Sequence, residues 1–200
     1  MLDERMRQLK ESAFDPLARP LLSVPPLALS IAGLALGVGA AVALWQGAYP
    51  AGFALWFLNR VFDGLDGTVA RSRGVQSDFG GYLDIVIDFV VYAAIPVGLA
   101  LGRPSETVTL SLIFLLCTYY VNAASWMYLA AILEKRNLSR SDKLTTITMP
   151  TGIIGGTETI LFYTLFILFP AHLMWLFSLM GTLILITILQ RLVWAYHHLS

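Results

Sequence analysis

Residues Asp63 to Asp88 read DGLDGTVARSRGVQSDFGGYLDIVID, and the reading of this stretch decides how the whole chain is understood. It holds five of the thirteen acidic residues, yet apolar runs long enough to lie in lipid flank it on both sides. A carboxylate near a bilayer centre costs roughly 2.5–3.5 kcal/mol even on lenient insertion scales. A cluster of them needs compensation, and bound divalent cations are the obvious source.

Asp63 and Asp66 are three residues apart and share one helix face; Asp84 and Asp88, four apart, share another. The connection from Ser72 to Phe79 is short, so the two helices are expected to run as antiparallel neighbours, with the acid pairs facing each other at one end. Four carboxylates in one pocket repel unless they are protonated or metal-bound. Oxygen donors without His or Cys favour Mg²⁺, Mn²⁺ or Ca²⁺ over zinc. Two such ions would neutralise four carboxylates and leave coordination room for a diphosphate. Gly67 and Ala70 remove bulk beside Asp63 and Asp66, and Gly80 and Gly81 do so at the start of the next helix. Glycine within a helix costs about 1 kcal/mol relative to alanine, so this concentration points to a backbone approached closely by a ligand. Arg71 offers a planar donor fork suited to phosphate. Ser77 either contacts a ligand or caps the helix that follows it.

Outward from this window the chain is membrane-like. Its 200 residues are 57% hydrophobic and 13% charged, with a mean hydropathy of +0.71. The formal net charge is zero, which gives no electrostatic reason to expect a nucleic-acid partner. A span needs about 20 apolar residues. The expected fold is an all-α integral membrane protein: one domain over residues 1–200, a short amphipathic cytoplasmic surface helix within 1–20, and six transmembrane helices. Those six spans run at about 26–47, 50–70, 79–101, 108–133, 147–170 and 172–195. In the surface helix Met6, Leu9, Ala13 and Phe14 recur at near-helical spacing. The second span is apolar only to Leu58; beyond it Asn59, Arg60 and Asp63 must face protein or water. In the first span Gly33, Gly37, Gly39, Ala40 and Ala41 allow close helix packing. The lone cysteine, Cys117, sits in an apolar run and has no partner within the chain. Basic residues gather before the first span (Arg5, Arg7, Lys10, Arg19), after the second (Arg71, Arg73) and after the fourth (Lys135, Arg136, Arg140, Lys143). The opposite loops carry only Arg103, so both termini and the acidic window are expected to face the cytoplasm.

As spacing, the window is D-x2-D-G-x2-A-R-x8-G-x3-D-x3-D, running Asp63, Asp66, Gly67, Ala70, Arg71, Gly80, Asp84, Asp88. This resembles the signature of the CDP-alcohol phosphatidyltransferase family at all eight specified positions. A weaker echo lies at Pro26-Leu27-Ala28-Leu29-Ser30, where the family often has P-N-x-x-T/S. Here leucine replaces the asparagine and the hydroxyl comes one position late. The resemblance implies transfer of a substituted phosphoryl group from a CDP-linked donor to an alcohol, with release of CMP, by an inner-membrane homodimer that uses two Mg²⁺ or Mn²⁺ ions. It implies that Asp63, Asp66 and Asp84 hold one metal and that Asp63, Asp84 and Asp88 hold or border the second. Asp88 would also be the base for the acceptor hydroxyl. Gly67, Ala70, Arg71, Ser77 and Gly80 would contact the CDP part.

The leading expectation is therefore metal-dependent transfer of a phosphatidyl group from CDP-diacylglycerol to a small alcohol in phospholipid biosynthesis. The nearest alternative is a CDP-alcohol donor with a diacylglycerol acceptor. A membrane prenyltransferase also handles diphosphates with aspartates, but its acidic motifs usually sit on two separated loops. A divalent-cation transporter needs a polar path through the bundle, whereas polar residues here cluster at one end. For the acceptor, Glu158 is a carboxylate expected two turns into the fifth span. It would bind acceptor hydroxyls or a cationic amine, or stand protonated against a neighbouring helix. Lys135 and Arg191, with Arg136, would bind an acceptor phosphate or serve only as flanking charge. Tyr119, Tyr120, Asn122 and Ser125 would line the same cavity or join helices.

Overall fold

The computed structural model describes residues 16–138 and 152–199, and within them every regular element is helical. A helical stretch at 16–18 passes into a 3₁₀ turn, Arg19–Leu21; six longer helices follow. These are α1 (Pro26–Trp45), α2 (Tyr49–Ser72), α3 (Asp78–Gly102), α4 (Glu106–Leu138), α5 (Gly156–Leu168) and α6 (Leu173–Leu199). The chain forms two compact units, dividing between Arg103 and Pro104.

Local chemistry sets the ends of the helices in the first unit. Pro26 opens α1 after Pro25, whose backbone is extended at φ −60° and ψ 134°. A proline in the first turn loses no helical hydrogen bond, and its fixed φ suits the helix. Gly47, at φ +76°, reverses the chain into α2, and Gly74, at φ +64°, does the same after α2. Ser77 caps α3, its Oγ accepting from the Gly80 N–H at 3.1 Å. The buried face of α1 is a stripe of small residues, Gly33, Gly37, Ala40 and Ala41, ending on Leu44. Against that stripe both α2 and α3 pack closely, and α1 therefore lies between them. A Cβ placed on Gly37 would strike Val91 Cγ2 at 2.5 Å, and one on Gly98 would strike the Ala41 backbone. The expected close packing of the small-residue stripe is thus what the structure contains. The expected direct pairing of α2 with α3 is corrected: their backbones approach each other far less than either approaches α1. A short connection fixes the direction of two helices but not which third helix comes between them.

In the second unit α4 and α6 pack along each other. Gly181 admits the Phe114 ring there, since a Cβ at 181 would meet Phe114 Cε1 at 2.6 Å. Phe166 stacks edge-on against Phe177, ring centroids 4.8 Å apart, and Tyr163 lies 5.3 Å from Phe166. The Thr187 hydroxyl accepts the Ile154 N–H at 3.0 Å and ties the chain entering α5 to α6.

Among the described residues, four helices are long and apolar enough to cross a membrane: Pro26–Trp45, Asp78–Gly102, Glu106–Arg136 and Pro170–Leu199. The protein is an all-helical integral membrane protein. The other two expected spans differ. α2 has 24 residues, but Asn59, Arg60, Asp63 and Asp66 interrupt its apolar run. α5 has 13 residues, about 20 Å of helix against a hydrocarbon core of about 30 Å. The expected surface-helix positions Met6 to Phe14, the connecting residues Arg140 and Lys143, and the start of the fifth expected span at 147–151 lie outside the described residues.

Candidate functional site

The acidic motif sits at the end of the first unit where α2 leaves and α3 enters. A cavity of about 530 Å³ opens there, lined from three elements: Pro26, Leu27 and Ser30 of α1; Asp66, Gly67, Ala70 and Arg71 of α2; and the connection and first turns of α3 through Asp84. All five positions expected to contact nucleotide, Gly67, Ala70, Arg71, Ser77 and Gly80, are on its wall. Their glycines have local causes as well. A Cβ on Gly67 would lie 3.3 Å from Arg71 Nη1, so the absent side chain lets Arg71 fold back over its own helix. There Arg71 Nη2 donates to Thr68 Oγ1 at 3.2 Å. A Cβ on Gly80 would crowd the capping Ser77 oxygen at 3.3 Å. Of the two roles considered for Ser77, the cap is formed, and its residue also lines the cavity.

The four carboxylates meet different surroundings. Asp66 and Asp84 line the cavity. Asp66 is buried, and its Oδ2 accepts from Ser30 Oγ at 2.5 Å. Asp63 and Asp88 instead share Arg60, whose Nη1 lies 3.0 Å from Asp88 Oδ1 and 3.7 Å from Asp63 Oδ2. Asp66 and Asp84 thus face the cavity, while the long cationic side chain of Arg60 links Asp63 of α2 to Asp88 of α3.

Arg60 is held from several directions. Its Nη1 also donates to Tyr92 Oη at 3.1 Å, and its Nε donates to Asn59 Oδ1 at 2.9 Å. The guanidinium carbon lies 4.9 Å from the Trp56 ring centroid and 5.3 Å from that of Tyr92, within the range of cation–π attraction. Asn59, itself buried, donates to the Gly33 carbonyl at 2.8 Å and locks α2 to α1 beneath the site.

Two contributors escaped the sequence reading as site residues. Arg60 was legible only as a charge that must avoid lipid. Ser30 was noted as a displaced hydroxyl, with no sign that it would meet Asp66. The signal available for each was a polar residue inside an otherwise apolar helix.

As a donor set, four carboxylates with hydroxyl support and no His or Cys suit a hard divalent ion. A guanidinium bridging Asp63 and Asp88 demonstrates that these oxygens are already arranged around a cation. Among the described residues, no three His, Cys, Asp or Glu side chains converge on one point.

The acceptor candidates lie in the second unit. Glu158 is not two turns deep. It occupies the first turn of α5, exposed, and its Oε2 accepts the Gly155 N–H at 3.0 Å. A helix start leaves N–H groups without partners, and a glutamate at the third position reaches back to satisfy one. Arg191 is buried, its Nη1 donating to Asn122 Oδ1 at 3.0 Å and to the Asn122 carbonyl at 3.2 Å. Arg136 closes the end of α6 by donating to the carbonyls of His198 and Leu199. Lys135 is exposed near the end of α4.

Comparison with known proteins agrees with the motif. The family model for CDP-alcohol phosphatidyltransferase matches residues 23–195. The Escherichia coli inner membrane protein YnjF is 34% identical over 195 residues, covering 97% of this chain and 92% of its own. Among solved structures, Mycobacterium tuberculosis phosphatidylinositol phosphate synthase (PgsA1) in complex with manganese and citrate superposes with a TM-score of 0.70 at 25% identity. It covers 90% of this chain and 88% of its own. The same enzyme with CDP-DAG bound gives a TM-score of 0.69 at 26% identity, covering 89% and 90%.

Proposed function

This chain belongs to the CDP-alcohol phosphatidyltransferase family and is a transferase of phosphate-containing groups, and from that premise we propose its reaction. It transfers a phosphatidyl group from CDP-diacylglycerol to a small alcohol, with Mg²⁺ or Mn²⁺, in phospholipid biosynthesis. The acceptor oxygen forms the new bond to the lipid-side phosphorus, the diphosphate bridge to cytidine monophosphate breaks, and CMP leaves. The observation that carries this reading is the shared wall of one cavity: every motif position assigned to CDP, together with Asp66 and Asp84, lines it. Manganese and CDP-DAG in the structures of the mycobacterial relative support both the ion and the donor.

Asp63, Asp66, Asp84 and Asp88 would hold the two divalent ions, which when bound neutralise the diphosphate oxygens and stabilise the leaving group. The other roles belong to the chain itself. Gly67, Ala70 and Gly80 keep the cavity wall low so that the diphosphate approaches backbone. Arg71, exposed at the rim, offers its guanidinium to phosphate oxygens. Ser30 fixes Asp66. Asp88 accepts the proton of the acceptor hydroxyl, a role that requires hydrogen-bond reach in the bound complex. Glu158, Lys135 and Arg191 remain acceptor-side candidates; the helix-capping bond of Glu158 favours a structural role for that residue.

The family match runs across both compact units, which supports reading residues 1–200 as one catalytic domain. The distribution of basic residues supports a site and both termini on the cytoplasmic side of the inner membrane, consistent with the bacterial relative. A homodimer is the expected assembly.

The test is CMP release from the purified protein with CDP-diacylglycerol, Mn²⁺ and a panel of small alcohols, with mass spectrometry of the lipid product. A new phospholipid formed with one alcohol identifies the acceptor. If CMP appears only from a CDP-alcohol supplied with diacylglycerol, the donor is reversed and the proposal fails.

A further inference from the structure

Arg60 touches two of the proposed metal-binding carboxylates, Asp63 of α2 and Asp88 of α3, and it does so from a prepared seat. Its side chain is only 10% exposed, and Nη1 reaches both Asp63 and Asp88. Trp56 and Tyr92 flank its charge, while Asn59 and the Tyr92 hydroxyl orient its fork. The two helices that carry Asp63 and Asp88 have little direct backbone contact, because α1 lies between them. The guanidinium is thus a cross-link between elements that the main chain leaves apart.

We infer that Arg60 is a positioning residue that acts as an exchangeable counter-cation: it holds Asp63 and Asp88 together and sets metal affinity by competing with the divalent ion for their oxygens. This inference rests on the metal-dependent reading proposed above. A divalent ion at Asp63 and Asp88 meets either an occupied pair of oxygens or, after Arg60 swings aside, a positive charge close by. Both lower its affinity. The aromatic pair stabilises the guanidinium's charge independently of the carboxylates, which lets Arg60 yield them without losing every favourable contact. The arrangement would keep the acids compensated between metal-binding events and hold the ions weakly enough to exchange.

The test uses full-length protein in detergent and two readouts other than turnover: Mn²⁺ affinity from the free-ion paramagnetic resonance signal, and thermal stability with EDTA or with Mn²⁺. For Arg60→Gln, Mn²⁺ binding is expected to tighten by about tenfold or more. The same variant should melt earlier than wild type in EDTA and gain more from added Mn²⁺. Arg60→Lys, which keeps the charge, should bring both readouts back toward wild type. Tyr92→Phe removes one hydrogen bond to Nη1 while preserving the ring, and should tighten Mn²⁺ binding in the same direction by a smaller factor; it serves as the test if Arg60→Gln does not fold. Unchanged or weaker Mn²⁺ binding in folded Arg60→Gln, or in Tyr92→Phe where Arg60→Gln fails to fold, overturns the inference while leaving the metal site intact. A wild-type protein that binds no Mn²⁺ overturns the metal-dependent reading and this inference with it.

Discussion

The hydroxyl of Ser30 donates to the carboxylate of Asp66 at 2.5 Å, across 36 positions of sequence, and so joins α1 to the acidic motif of α2. The same hydroxyl lies 3.2 Å from the Pro26 carbonyl one turn back, which fixes the serine rotamer against its own helix. Asp66 is buried, so loss of this donor would leave a carboxylate oxygen with less compensation. Ser30→Ala is expected to cost about 1–3 kcal/mol of stability and to reduce CMP release. Ser30→Thr, which keeps the hydroxyl, should recover most of both. Thermal melting alongside a CMP assay checks this, and an alanine variant with wild-type behaviour would remove Ser30 from the site.

Asp88 offers a sharper chemical test. Asn keeps the shape and still accepts a hydrogen bond from Arg60, but it cannot take a proton from an alcohol or carry charge to a divalent ion. Asp88→Asn should abolish CMP release while leaving the melting temperature close to wild type. Near-normal turnover would refute the base assigned here.

The crossing of α3 over α1 depends on glycines, and most sharply on Gly98. A Cβ on Gly98 would collide with the Ala41 backbone, which cannot move aside as a flexible side chain can. Gly98→Ala is expected to destabilise by about 1–3 kcal/mol, the usual cost of overpacking a filled interior. Gly39 is the control on the neighbouring turn of α1, where the nearest atom to an added Cβ is Leu55 Cδ1 at 3.7 Å. Gly39→Ala should be neutral or gain up to about 1 kcal/mol from helix propensity. Melting curves of the two variants in one detergent separate these outcomes.

Glu158 distinguishes a cap from a binding group. If its work is to satisfy the Gly155 N–H, Glu158→Ala should lose about 0.5–2 kcal/mol, and Glu158→Gln, whose amide oxygen still accepts, should restore most of it. The KM for the acceptor alcohol should be unaffected by Glu158→Gln. A selective rise in that KM, with unchanged affinity for the CDP-linked donor, would return Glu158 to the acceptor site.

The motif's local geometry is legible in the sequence. Helical spacing alone places Asp63 with Asp66 and Asp84 with Asp88 on their helices, and Gly67, Arg71 and Gly80 between them line one cavity. These are local relationships, set by the 3.6-residue period and the length of one connection. Span number was less legible at α2, where length and hydropathy disagree, and at α5, which has a spanning segment's composition without its length. Glu158 was misjudged in depth because a run of apolar residues does not announce where the helix within it begins.

From its sequence alone, this protein is a membrane-embedded bundle of helices that carries an acidic motif at one end, because hydropathy and carboxylate spacing are properties of adjacent residues. Only the tertiary structure decided which partners those acids meet. α1 enters between α2 and α3, Ser30 reaches Asp66, and Arg60 takes Asp63 and Asp88 together. The physical reason is that Gly98 and Gly102 let α3 meet the backbone of α1 at Ala41 and Leu44, far away in sequence, and such contacts follow from shape in three dimensions rather than from any local pattern.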